Sequence, residues 1–443
     1  MAGRDFRRGA PRNRDAEGGA RGRDKSGGQG KSRGRLNLGR LAAAKALLAV
    51  EQGAHVDDVL PDLLPESDAD RALAWHLALG VLRRQATLDA ALKPRLSRPL
   101  VKLDAGVRVA LRLGAFEVLL SRTAEHAAVH QAVEAVRALG LKRAAGFVNA
   151  VLREVAFPTN LSRAESLDHP PWLVSRWDAR YGPDAAAAWC KANAEPPPLV
   201  LAARGAVDAL AQALDGVGIS TRPPRVRDGQ VDGLLRVQGR VGRVDQLPGF
   251  ADGAFWVQDA ASAWMTDLVP LGARTVLDTC AAPGGKTFRL AARGHHVTST
   301  DASAARLERL QEGLARLSLP ADVREHNWLT PSDLGRFDAV LVDAPCSALG
   351  TVRRRPEVRW RREAEELRRN ARTQLQILTH AAQHVAEGGA LVYVVCSAEP
   401  EEGPDVIADF LRAHPGWVVD LSRSTAPPAD DEDAFWGARL VRT

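Results

Sequence analysis

The chain has 443 residues, 45% of them apolar and 26% charged, which fits two or three globular domains with cores of ordinary size. No apolar run approaches the about 18 residues that a membrane-spanning helix needs, and the Arg/Gly-rich start has no apolar signal core, which argues against a membrane or secreted protein. Four cysteines without a tight framework fit a reducing cytoplasm, and no Cys/His group has zinc spacing, so no metal is expected.

Charge is unevenly spread. The net charge is +6, and residues 1–35 alone hold +7, so the rest of the chain is near −1. Residues 1–35 have almost no apolar side chains and read as a disordered basic tail suited to RNA phosphates or simply to solvent. Residues 36–157 read as an all-α bundle of about five helices. Leu41, Ala44, Leu47 and Leu48 keep helical spacing, and Ser67 or Asp68 is a candidate cap for the helix carrying Leu73, Leu77 and Val81. His76, His126 and His130 read as packing or surface residues.

Residues 158–250 read as a small α+β connector, broken at Pro196-Pro197-Pro198. Residues 251–443 alternate between strand and helix patterns. Strands are predicted at Thr275–Thr279, His296–Thr300, Asp322–Glu325, Phe337–Val342, Ala390–Val395 and Trp417–Leu421, with an edge strand at Ala438–Val441. Helices are predicted at Lys286–Arg293, Ser303–Leu317 and Arg361–Val385. The alternation predicts a doubly wound, Rossmann-like α/β domain, whose ligands bind beyond the carboxyl ends of its strands.

Two motifs fall at such ends. In Ala282-Pro283-Gly284-Gly285-Lys286 the glycines let backbone approach a ligand, and the helix start offers free N–H groups. It is neither a dinucleotide fingerprint nor a P-loop. Asp301, after the second predicted strand, suits ribose hydroxyls or a helix cap. The second motif is a pair of cysteines, Cys346 after Phe337–Val342 and Cys396 after Ala390–Val395. A thiolate adding to C6 of cytosine makes C5 nucleophilic, which is covalent catalysis by an activated cysteine. The plain alternative is that both thiols are core residues. Cys280 and Cys190 read as structural. The basic run Arg353-Arg354-Arg355 through Arg359, Arg361 and Arg362 adjoins Cys346 and is expected to contact nucleic-acid phosphate.

Asp278–Thr287, Asp343-Ala344-Pro345-Cys346-Ser347 and Cys396-Ser397 with Pro400-Glu401-Glu402 resemble the RNA cytosine-C5 methyltransferases that use S-adenosylmethionine. Arg354–Trp360 resembles their loop after the first cysteine. Glu125-His126-Ala127-Ala128-Val129 and Gly146–Arg153 resemble the NusB-like RNA-binding domain. The combination is similar to the bacterial RsmB/Sun (Fmu) family, over roughly residues 40–443. The resemblance implies a cytoplasmic, monomeric enzyme that methylates a cytosine of 16S rRNA. It implies Cys396 as nucleophile, Cys346 in product release and Asp343 as a hydrogen-bond partner of the flipped base. S-adenosylmethionine would be held by Cys280, Ala281, Ala282, Pro283, Gly284, Gly285, Lys286, Asp301, Asn327 and Asp343. Three positions depart from the family: Val395 for threonine, Asn327 for aspartate and Gly403 for asparagine. A tRNA or 23S rRNA substrate and a non-catalytic RNA-binding or assembly factor are the alternative readings.

Overall fold

The structure, a computed structural model, describes residues 36–227, 229–428 and 432–443, so the basic segment 1–35 lies outside the described residues. Alanines and leucines at helical spacing build the first module. Its helices are α1 (Leu38–Glu51), α2 (Val56–Leu63), α3 (Asp68–Arg83), α4 (Gln85–Leu92), α5 (Ala105–Leu120), α6 (Glu125–Ala138) and α7 (Ala145–Arg153). These are seven α-helices where sequence spacing predicted about five; α2 and α4 have eight residues each, shorter than the window of about 11 residues over which spacing is read. Helix α5 is buried from Val109 to Glu117 and forms the axis of the bundle. Ser67, one of the two candidate caps, accepts the Asp70 N–H. His76 packs edge-on against Phe116 at 5.5 Å, a packing residue as expected.

The connector holds α8 (Arg163–Ser166) and α9 (Pro171–Tyr181), which the sequence pattern did not reveal, and α10 (Pro183–Asn193), the Ala-rich helix that carries Cys190. Trp177 and Trp189 stack at 3.8 Å between α9 and α10, and this core continues into Leu349, Val352 and Val358 of the Cys346 loop. Strand β1 (Val200–Ala203), α11 (Val207–Asp215), β2 (Thr221–Arg222), β3 (Arg225–Val226), β4 (Gly229–Gln230) and β5 (Leu234–Val237) follow. The connector sheet has the order β2-β5-β1-β6, and its last member, β6 (Phe255–Val257), lies past the expected border at residue 250.

After α12 (Ala260–Thr266), the third module alternates as predicted: β7 (Thr275–Asp278), α13 (Gly285–Ala292), β8 (His296–Asp301), α14 (Ala304–Leu317), β9 (Asp322–Glu325) and β10 (Phe337–Asp343). The expected helix Arg361–Val385 is instead a short α15 (Val358–Arg361) and a long α16 (Ala364–Ala382). Arg362 is extended between them, Glu363 and Glu366 cap α16, and Val385 already begins β11 (Val385–Val395). Helix α17 (Pro404–Ala413), β12 (Trp417–Ser424) and β13 (Trp436–Arg442) complete the chain. The seven-stranded sheet runs β12-β13-β11-β10-β7-β8-β9. Strands β11 to β9 in that order are mutually parallel, and β13 is antiparallel to both its neighbours. The expected edge strand Ala438–Val441 is therefore interior, because β12 covers it.

Most of the basic run after Cys346 is engaged within the protein, which the sequence did not lead one to expect. Arg361 donates to the Val50, Gly53 and Ala54 carbonyls at the C-terminal end of α1, and Trp360 Nε1 donates to the Leu82 carbonyl at 2.9 Å. Arg359 is fully buried and donates to the Asp168, Asn193 and Val352 carbonyls. Arg354 joins Asp259 and Asp433, and Arg355 approaches Asp57 at 3.4 Å. Orphan carbonyls at helix ends are acceptors for cationic donors, as phosphates are. The run binds the three modules to each other.

Candidate active site

Strands β10 and β11 are parallel neighbours with Asp343 opposite Val394, so they end at the same level of the sheet. Cys346 lies three residues beyond β10 and Cys396 one residue beyond β11. The common level brings their sulfurs to 3.2 Å. Backbone bonds fix the approach: Ala344 N–H donates to the Val394 carbonyl at 3.0 Å, and Gly350 N–H to the Cys396 carbonyl at 3.1 Å. A Cβ at Gly350 would lie 1.8 Å from the Ala434 carbonyl oxygen, so only glycine permits this closure.

The two thiols are not equivalent. The hydrogen bond to Cys396, followed by burial, holds the Cys346 thiol well above the usual thiol range. Cys346 is thus held in its protonated form, in hydrogen-bond contact with the Cys396 sulfur. Burial pushes Cys280 and Cys190 up to about 12 each, which fits inert thiols.

Asp343, the last residue of β10, pairs with Lys286 Nζ at 2.7 Å. Burial opposes the Lys286 charge, but the Asp343 carboxylate outweighs it and raises the ammonium above its ordinary range. Lys286 therefore belongs as much to the thiol side of the pocket as to the cofactor turn. Sequence reading placed both residues near the cofactor and missed their pairing, which depends on the 57-residue separation being closed by the sheet.

The cofactor turn runs from β7 into α13. Gly284 has φ +116°, and a Cβ there would meet the Phe288 ring at 2.5 Å. Ala281 N–H donates to the Thr300 carbonyl, and Ala282 N–H reaches Asp301 Oδ2 at 3.3 Å. This stitches the turn, including Cys280 and Pro283, to the end of β8. Asp301 also accepts from Ser303 N–H, but the cap of α14 is Ser303 itself. Asp278 is fully buried, with one oxygen bonded to Thr287 and the other without a partner. Burial raises this carboxyl to about 7. The orphan oxygen, the free N–H groups at the start of α13 and the Asp301 carboxylate are a donor and acceptor set that fits a nucleoside carrying an amino-acid tail. Asn327 follows β9 and is exposed, with its side-chain oxygen turned to the Leu329 N–H at 3.1 Å.

Val395 is fully buried, so no hydroxyl stands before Cys396. At Gly403 the Trp436 ring occupies the space of a side chain, with atoms 3.1 Å from an added Cβ. A side chain at position 403 would press on the Trp436 ring. No group of three or more His, Cys, Asp or Glu with metal-binding geometry occurs among the described residues.

Three family models match successive parts of the chain: the NusB family over residues 38–157, a ferredoxin-like domain of RsmF/B-like methyltransferases over 169–229, and 16S rRNA methyltransferase RsmB/F over 265–440. Ribosomal RNA small subunit methyltransferase B of Yersinia enterocolitica is 33% identical over 92% of this chain and 99% of its own length. The Cronobacter sakazakii protein of the same name matches at the same identity and coverage. Among solved structures, PH0851 superposes with a TM-score of 0.80 at 22% identity, over 92% of this chain and 99% of that one. NSun6 from Pyrococcus horikoshii superposes with a TM-score of 0.53 at 19% identity, over 62% of this chain and 98% of that one. Shared sequence over nearly the whole length, and the same succession of modules, place this chain in the RsmB/F family of S-adenosylmethionine-dependent 16S rRNA methyltransferases.

Proposed function

We propose that the protein transfers a methyl group to C5 of a cytosine in 16S rRNA through a covalent bond between Cys396 and C6. The observation that carries this reading is the contact of two thiols at 3.2 Å beside the Asp343–Lys286 pair. Bound S-adenosylmethionine supplies an electrophilic methyl carbon. The residues Cys280 to Lys286 and Asp301 would hold it, with Asn327 at the rim.

The cytosine must leave its stack to reach strand ends. Asp343 and Lys286 offer an acceptor and a donor to its Watson–Crick edge. Cys396 sulfur forms a bond to C6, and the C5–C6 π pair moves to C5, which becomes the nucleophile. After C5 has gained a carbon, loss of its proton returns an electron pair to the ring and breaks the S–C6 bond. Cys346 keeps its proton next to the departing sulfur and stabilises the thiolate as it leaves. A donor hydroxyl at position 395 is not needed for this, since Cys346 is the group hydrogen-bonded to Cys396.

The test is adduct trapping on RNA with S-adenosylmethionine. Cys346→Ala is expected to accumulate a denaturation-resistant RNA–protein complex, and Cys396→Ala to form none and lose activity. A complex that required Cys346 instead of Cys396 would reverse the assignment.

A further inference from the structure

Resting on the proposed roles of the two thiols, we propose that Glu402 is the positioning residue that holds Cys346 and Cys396 in register. Glu402 is fully buried in the turn Pro400–Glu402, and it touches neither sulfur. Its Oε2 accepts the hydroxyls of Ser347 and Ser397, each at 2.6 Å. These serines directly follow Cys346 and Cys396. Its Oε1 accepts the Ser347 N–H at 2.7 Å, Asn370 Nδ2 at 2.9 Å and Gln374 Nε2 at 3.4 Å. The turn itself is anchored to β11, since Tyr393 donates its hydroxyl proton to the Glu402 carbonyl at 2.6 Å.

One carboxylate therefore ties the loop after β10, the end of β11 and helix α16 to a single point. No cation pairs with it among the described residues, so five neutral donors carry the whole cost of its burial. Such a hub fixes geometry more than it adds net stability. Removing it takes the acceptor from the Ser347 N–H and Asn370 Nδ2, while Gln374 keeps the Pro345 carbonyl at 3.0 Å, and leaves the Cys346 loop joined to the Cys396 strand mainly by backbone bonds. The negative charge also helps keep Cys346 protonated, after the hydrogen bond to Cys396 and burial.

The experiment uses the full chain with Glu402→Ala, Glu402→Gln and the double change Ser347→Ala/Ser397→Ala. Methyl transfer, RNA binding and S-adenosylmethionine binding are measured well below each unfolding midpoint. Diamide, which takes up the two thiol hydrogens as the S–S bond forms, gives the rate of Cys346–Cys396 crosslinking by mass spectrometry. Glu402→Ala is expected to lower kcat by about 100-fold, the scale of a 1 Å misplacement, with both affinities unchanged and crosslinking slowed. Glu402→Gln keeps an acceptor at Oε1 and retains most activity. Should Glu402→Ala fail to fold, the double serine variant is expected to show the same split at about tenfold in kcat. Unchanged kcat with a lowered unfolding midpoint would make Glu402 merely structural and overturn the proposal. So would a Glu402→Gln variant as inactive as Glu402→Ala with normal crosslinking, which would point to charge instead of position. A wild-type enzyme that methylates no cytosine C5 would instead overturn the proposed reaction, and normal crosslinking in Glu402→Ala would still refute the positioning role on its own.

Discussion

Asp278 shows what a single buried carboxyl costs. Burial raises it to about 7 from an ordinary 3.8. Between those values the folded chain holds the proton more firmly than the unfolded chain does. The group's contribution to stability is thus present at low pH and declines as pH rises to about 7, by at most about 4 kcal/mol. Asp278→Asn should remove this decline. Urea midpoints of the chain without cofactor, taken at about pH 5 and about pH 8, check it. Parallel pH dependence in the variant would contradict the assignment. At this scale Cys346, Cys396 and Asp301 stand out by residue type and place, and Asp343 through the family resemblance. Lys286 and Glu402 lie in motifs, but their contacts did not show, because these depend on burial and on partners 57 and 55 residues away.

At the scale of elements, the segment Arg353–Arg362 is the clearest departure from expectation. A run of arginines next to a site for RNA has two physical outlets, phosphates and helix-end carbonyls, and composition does not distinguish them. Here the carbonyls win: Arg361 spans three of them at the end of α1, and Arg359 is sealed between the connector and the Cys346 loop. Arg361→Ala should lower the unfolding free energy by about 2 kcal/mol, in the range of bonds to a charged donor, and leave RNA affinity unchanged. Chemical denaturation and a salt titration of RNA binding separate the alternatives. A phosphate role would instead leave stability intact and reduce the salt slope by about one. Strands β10 and β11 were legible because buried strands read as continuous apolar runs. Helix α8 has only four residues and α9 interrupts its period with Pro171 and two tryptophans, so neither stood out. The interior place of β13 also escaped, because strand order is set by long-range pairing that no local pattern encodes.

For the whole molecule, the order of modules follows from what each must do. The bundle and connector close on the segment that follows Cys346, which carries Arg359 into the connector and Trp360 and Arg361 into the bundle. Residues 1–35 carry a net charge of +7 and lie outside the described residues. The most direct measurement of the central claim is bisulfite sequencing of 16S rRNA from a strain lacking this protein, beside its parent. One cytosine that resists conversion in the parent should convert fully in the deletion, and regain resistance with the wild-type chain but not with Cys396→Ala. Identical 16S rRNA maps in the two strains would contradict the account.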